Sequence, residues 1–190
     1  MKQIIAEAIA EHKKLLTALE TESIDTIIAA TEIIIKAMNN DGCVYLCGNG
    51  GSAADCQHIA GEFVGRFLQE RRPLPAVAFS TDTAVITAIG NDYSFDDIFS
   101  KQAQALVKQN DILWAISTSG NSKNVVAAAE VAKRKGAAVL AFTGKANSKL
   151  EKIADVCLCA NAANSFGAQQ IHQIAYHLIC DLVEREFCKE

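Results

Sequence analysis

The sequence predicts a single doubly wound α/β domain: a five-stranded parallel sheet flanked by helices, with additional N-terminal helices and a long C-terminal one. Three observations carry this expectation. Short apolar runs of strand length recur five times along the chain, and helical segments separate them. The 190 residues, half of them apolar and 21% charged, suit one domain (1–190) with one substantial core. Strand and helix alternating in this way favour parallel pairing with both faces of the sheet covered.

The first forty residues hold two helical patterns, the second with Ile27, Ile28, Ile34, Ile35 and Met38 on nearly one face. Asn39-Asn40-Asp41-Gly42 stops that helix, and Cys43-Val44-Tyr45-Leu46-Cys47 follows as the first strand, ending at Gly48. Further strands are expected at 76–79, 112–116, 138–142 and 156–159, with helices over 52–67, 95–107 and 122–135. The last segment, from about 169 to 187, sets Ile171, Ile174, Ala175, Leu178, Ile179, Leu182 and Val183 at spacings of three and four, a long amphipathic helix. This is more apolar helical surface than a five-stranded core needs, so residues 1–40 are expected to pack between copies of the chain.

Charges at Glu7, Glu11, Lys13 and Lys14 leave no uninterrupted signal-peptide core near the N-terminus. No apolar stretch approaches the roughly 20 residues of a membrane span. A soluble, cytoplasmic protein with no membrane partner is expected. Seven cysteines are an odd number, and Cys43, Cys47, Cys157 and Cys159 fall in apolar strand runs, which reads as core thiols rather than disulfides. A formal charge of −4 argues against nucleic acid as a partner. The one basic cluster, Arg66, Arg71 and Arg72, reads either as a solvated helix end and loop or as an arginine reaching a neighbouring subunit's ligand; no site is assigned to it.

Open parallel sheets bind ligands beyond the carboxyl ends of their strands. After the first strand comes Gly48-Asn49-Gly50-Gly51-Ser52, whose glycines let the backbone approach a ligand and whose serine can cap the next helix. After the third comes Ser117-Thr118-Ser119-Gly120-Asn121-Ser122, a neutral cradle of hydroxyls and N–H groups at a helix N-terminus, suited to a phosphate monoester. The loose dinucleotide fingerprint Gly48-x-Gly50-x-x-Ala53 lacks its ribose acid, because Phe79-Ser80-Thr81 intervenes before Asp82. Thr143-Gly144-Lys145 lacks the upstream glycine of a Walker A loop.

Behind the glycine loop, His58 and Glu62 lie one helical turn apart on the same face. The C-terminal helix carries Gln169, His172, Gln173 and His177, readable equally as a solvated side or as a functional face. If that helix lies across the strand ends, His58, Glu62, Gln169 and His177 could converge on a divalent metal with nitrogen and oxygen donors suited to zinc. Carboxylate, imidazole and phosphate cradle together are what aldose–ketose isomerisation needs: a base for the proton beside the carbonyl and an acid for the enediol oxygens.

The run 47–55 with His58 and Glu62 behind it, then Thr81-Asp82, Gly90-Asn91-Asp92 and the 117–122 loop, resembles the phosphoheptose isomerases of the sugar-isomerase (SIS) fold, over nearly the whole chain. The resemblance implies a flavodoxin-like sheet and conversion of sedoheptulose 7-phosphate to D-glycero-D-manno-heptose 7-phosphate through an enediol, early in making nucleotide-activated heptose for lipopolysaccharide or capsule. It implies Glu62 as base, His177 as acid, and one Zn2+ per subunit on His58, Glu62, Gln169 and His177. Asn49, Gly50, Gly51, Ser52, Glu62, Asn91, Asp92, Ser117, Thr118, Ser119, Ser122 and Gln169 would line the substrate site. It also implies a homotetramer with composite active sites. The segment Asn164-Ser165-Phe166-Gly167-Ala168-Gln169-Gln170 departs from the family pattern, in which a basic residue and an isoleucine precede the glutamine and a glutamate follows it. The competing reading is a non-catalytic SIS module, sensing sugar phosphates or associating with a replication initiator, which needs the phosphate loops but neither acid nor base.

Overall fold

A computed structural model describes residues 1–188. Five strands, β1 (Val44–Gly48), β2 (Ala76–Ala78), β3 (Ile112–Ser117), β4 (Ala138–Thr143) and β5 (Val156–Cys159), form one sheet in the order β2-β1-β3-β4-β5, every neighbouring pair parallel. Among the described residues eight α-helices accompany it: α1 (Lys2–Glu22), α2 (Ile24–Met38), α3 (Gly51–Val64), α4 (Thr83–Asp92), α5 (Ser100–Leu106), α6 (Lys123–Arg134), α7 (Lys149–Ile153) and α8 (Ser165–Phe187). The doubly wound five-stranded expectation therefore holds, and in this strand order the chain leaves β1 towards opposite edges, opening a crevice between the β1 and β3 loops.

Side chains alternate across the sheet and sort into two cores. On one face Leu46, Ile112, Trp114, Ile116, Leu140 and Phe142 pack under α1, α2, α3 and α8; on the other, Leu113, Ala115, Val139 and Ala141 pack under α5, α6 and α7. Strand β3 is buried from end to end, as a central strand covered on both sides must be.

Several boundaries and two helices differ from expectation. The segment read as one helix over 95–107 is a short 3-10 turn (Phe95–Asp97) followed by α5, because the Ser94 side chain caps the turn at Asp96 N–H (3.0 Å). α4 starts where Asp82 Oδ1 accepts the Val85 N–H (3.0 Å); its apolar residues carry no clear period, and none of its side chains is fully buried. α8 begins four residues early, at Ser165, since Asn164 caps it through the Gly167 N–H (2.9 Å). At Gly167 the two helices approach closely: a methyl group would come to 3.0 Å from Leu15 Cδ1 of α1, so that side chain would have to give way.

The apolar faces also divide more finely than the periodicity implied. Ile27, Ile34 and Met38 of α2 are buried, while Ile28 points outward. On α8, Ile171, Ala175, Ile179 and Val183 face the core, whereas Ile174, Leu178 and Leu182 form a second, exposed stripe. All seven cysteines are free; Cys47 is buried as expected of a strand residue, but Cys43, Cys157 and Cys159 are only half-buried.

Candidate active site

The glycine loop is shaped by its backbone. Gly50 adopts φ +57, a left-handed conformation that glycine takes without penalty, and occupies the N-cap position of α3. Ser52, expected to cap, instead lies inside the first turn, buried, with its N–H on the Asn49 carbonyl (3.1 Å). Gly48 is confined by the Ser52 carbonyl, which a methyl group would meet at 2.8 Å.

The serine loop is a hydroxyl chain. Ser117 Oγ donates to Ser122 Oγ (3.0 Å) and lies 3.3 Å from Ser119 Oγ, which accepts the Asn121 N–H (3.1 Å). Ser122 thus spends its hydroxyl within the loop rather than on capping α6, and first-turn N–H groups have no helical acceptors of their own. Gly120, at φ +63, has Ser148 only 2.3 Å from where a methyl would sit, so nothing larger fits. Thr118 Oγ1 is 3.0 Å from Ser165 Oγ at the start of α8.

The two loops are tied together at the crevice. Asn49 and Asn124 exchange amide hydrogen bonds at 2.9 and 3.0 Å, and Asn124 Oδ1 also takes the Val125 N–H (2.9 Å). Neither Asn124 nor Ser165 was foreseen: each follows a recognisable loop, but only the fold puts it opposite its partner.

The third part lies between α3 and α8, which run side by side in the same direction. A methyl at Gly51 would come within 2.5 Å of Gln169 Nε2, so the two helices begin in contact. Two turns further on, His58 Nε2 is 2.9 Å from Glu62 Oε1, and ligand atoms of His58, Glu62 and His177 all fall within 4.8 Å of one another. Gln169 sits eight residues before His177, about 12 Å along the axis. Three of the four expected ligands are therefore gathered, and the glutamine amide rests at the glycine loop. Asn91 and Asp92 end α4 and are exposed, with Asn91 Nδ2 donating to Asp92 Oδ1 (2.8 Å).

His58 Nε2 meets Glu62 Oε1 at 2.9 Å, and the Tyr176 hydroxyl lies 3.1 Å from the other ring nitrogen, Nδ1. Tyr176 adjoins the apolar stripe of α8 and is fully buried. Burial raises the Tyr176 pKa, and the nearby Asp55 carboxylate adds to the rise. Asp55 is itself raised, mainly by burial, with His58 and Tyr176 opposing. The His177 ring stacks on Phe67 at 5.5 Å and 18°. Burial first and the charge of His58 second lower its pKa, against the pull of Glu62.

Two imidazoles and a carboxylate this close, with the far nitrogen of His58 held by a hydroxyl that can also accept, fit a divalent ion. His172, readable from sequence as solvated, is fully buried and donates Nε2–H to the Thr143 carbonyl (3.0 Å), pinning α8 to the end of β4. Arg71 is not solvated either: its side chain is 1% exposed and pairs with Glu184.

The SIS domain family matches residues 9–144. A phosphoheptose isomerase of Nitratiruptor is 41% identical over 187 residues, 98% of this chain and 100% of that protein. Among solved structures, the phosphoheptose isomerase of Neisseria gonorrhoeae superposes with a TM-score of 0.91 at 38% identity, covering 97% of this chain and 98% of that one. One from Francisella tularensis does so with a TM-score of 0.92 at 33% identity, covering 96% and 97%.

Proposed function

This chain belongs to the phosphoheptose isomerases of the SIS-domain family, and from that premise we propose that it interconverts sedoheptulose 7-phosphate and D-glycero-D-manno-heptose 7-phosphate through an enediol. One observation carries the reading: Glu62 and His177 meet, beside His58, on two helices that start at a phosphate-shaped strand edge. A protein that merely binds a sugar phosphate has no use for that meeting.

The phosphate docks among Ser117, Thr118, Ser119 and Ser122 and the backbone of Asn49, Gly50, Gly51 and Ser52, where helix N-termini favour an anion. Gln169 borders the sugar at Gly51, and Asn91 and Asp92 complete the pocket in the assembled oligomer. Glu62 takes a proton from C1 of the ketose while His177 protonates the carbonyl oxygen, giving the enediol. Glu62 then returns the proton to C2 as His177 takes one back from the C1 hydroxyl, leaving the aldose. His58, held by Tyr176, orients the Glu62 carboxylate.

One Zn2+ per subunit fits His58, Glu62 and His177, with Gln169 as the fourth ligand if its side chain swings along α8. Bound there, it would polarise the two oxygens of the reacting carbons. The protein acts in the cytoplasm, on the route to activated heptose for lipopolysaccharide or capsule. It acts as a homotetramer, with the exposed apolar residues of α1 and α8 covered by other copies and residues 1–40 at the interface. No helix among the described residues is long and apolar enough to cross a membrane.

Incubating the purified protein with sedoheptulose 7-phosphate, with and without a chelator, and following the aldose by NMR tests the reading. Turnover is expected, reduced by chelation; binding without turnover in either condition would identify a sensor instead. Glu62→Gln should lower kcat by at least about a thousandfold while sugar-phosphate binding persists.

A further inference from the structure

Two charged residues that this chemistry does not use are buried against each other. Arg71 and Glu184 each have side chains 1% exposed, with Arg71 Nε 3.4 Å from Glu184 Oε1. Glu184 lies seven residues beyond His177 on α8, two turns on and on the same face. Its carboxylate accepts the backbone N–H groups of Phe67 (2.7 Å), Leu68 (2.6 Å) and Gln69 (2.8 Å). Those bonds and Arg71 hold its pKa below the ordinary carboxylate value, although burial alone would raise it.

Arg71 spends its terminal nitrogens on the end of α3 and on its own loop. It donates to the carbonyls of Glu62 (2.7 Å), Gly65 (2.8 Å) and Arg72 (3.1 Å). The last carbonyls of a helix have no partners within it, and one of those taken here belongs to Glu62 itself. Phe67, the first residue held by Glu184, is the ring stacked on His177. A buried ion pair adds little to stability, because desolvation offsets much of the attraction; fixing register is its best-attested use.

We infer that Arg71 and Glu184 are positioning residues: the pair locks the end of α3 and the 65–72 loop onto α8, fixing Glu62 through its own carbonyl and His177 through the Phe67 ring. The kinetic consequence rests on the isomerase reading; the geometric one does not.

Glu184→Gln keeps the volume and removes the charge. In folded protein, kcat is expected to fall roughly tenfold to a hundredfold with KM within about threefold of wild type. The His177 imidazole proton resonances, which lie in the Phe67 ring current, should shift in the direction given by Phe67→Leu. Wild-type kcat with unshifted resonances would overturn the inference, and so would a raised KM at unchanged kcat. If Glu184→Gln does not fold, Arg71→Lys decides by the same readouts, since it keeps the charge and gives up the forked bonds to α3. The resonance shift needs no substrate: if the wild-type protein does not isomerise sedoheptulose 7-phosphate, the isomerase reading fails and the shift alone decides the positioning role.

Discussion

His172 shows how a polar residue on an amphipathic helix can serve the core. Fully buried, with Nε2–H on the Thr143 carbonyl, its pKa falls from the ordinary 6.5 to about 4, chiefly through burial. The unfolded chain therefore binds a proton between those values that the folded chain does not. Stability contributed this way is complete above pH 6.5 and declines as the pH falls towards 4, by up to roughly 3 kcal/mol. Urea midpoints measured at pH 7 and pH 4.5 should drop more for wild type than for His172→Gln, which retains a donor for Thr143; equal drops would remove His172 from the acid lability. At this scale the sequence disclosed residue types and spacing. His58 and Glu62 were legible as a pair because one helical turn fixes their distance. Tyr176 and Glu184 were not, since an apolar stripe and a charge near a helix end have ordinary explanations.

Between elements, the Asn49–Asn124 exchange joins the β1 loop to the first turn of α6 across the crevice. Asn124→Ala leaves the Asn49 amide without its partner at a half-buried position, a cost of about 2 kcal/mol. It also frees the glycine loop, so KM for the sugar phosphate should rise more than kcat falls. A melt and a saturation curve check both, and an unchanged KM would mean that the loop is held by its glycines alone. Strand positions were legible to within a residue or two because four to six consecutive apolar residues bounded by turn formers have few alternatives. α4 was not, for its only strong signal is the Asp82 cap, and no buried face stamps a period on it.

For the whole molecule, Ile174, one end of the exposed stripe it forms with Leu178 and Leu182 on α8, lines a cavity of about 420 Å³ with Ile9, Leu16 and Phe166. An apolar surface of this extent is expected to be covered in a homotetramer. Sedimentation at micromolar concentration should give four copies, and Leu178→Glu should dissociate them; monomeric wild type would refute the assembly. Amphipathic periods and glycine- and serine-rich loops determined the α/β class, the two loops at the strand edge and the His58/Glu62 pair, because each depends on neighbours a few residues apart. Only the tertiary structure decided that His177 joins that pair, that Asn124 faces Asn49, and that Arg71 leaves solvent for Glu184. Those contacts cross 75 to 119 residues of chain, and no local pattern encodes a distance closed by packing.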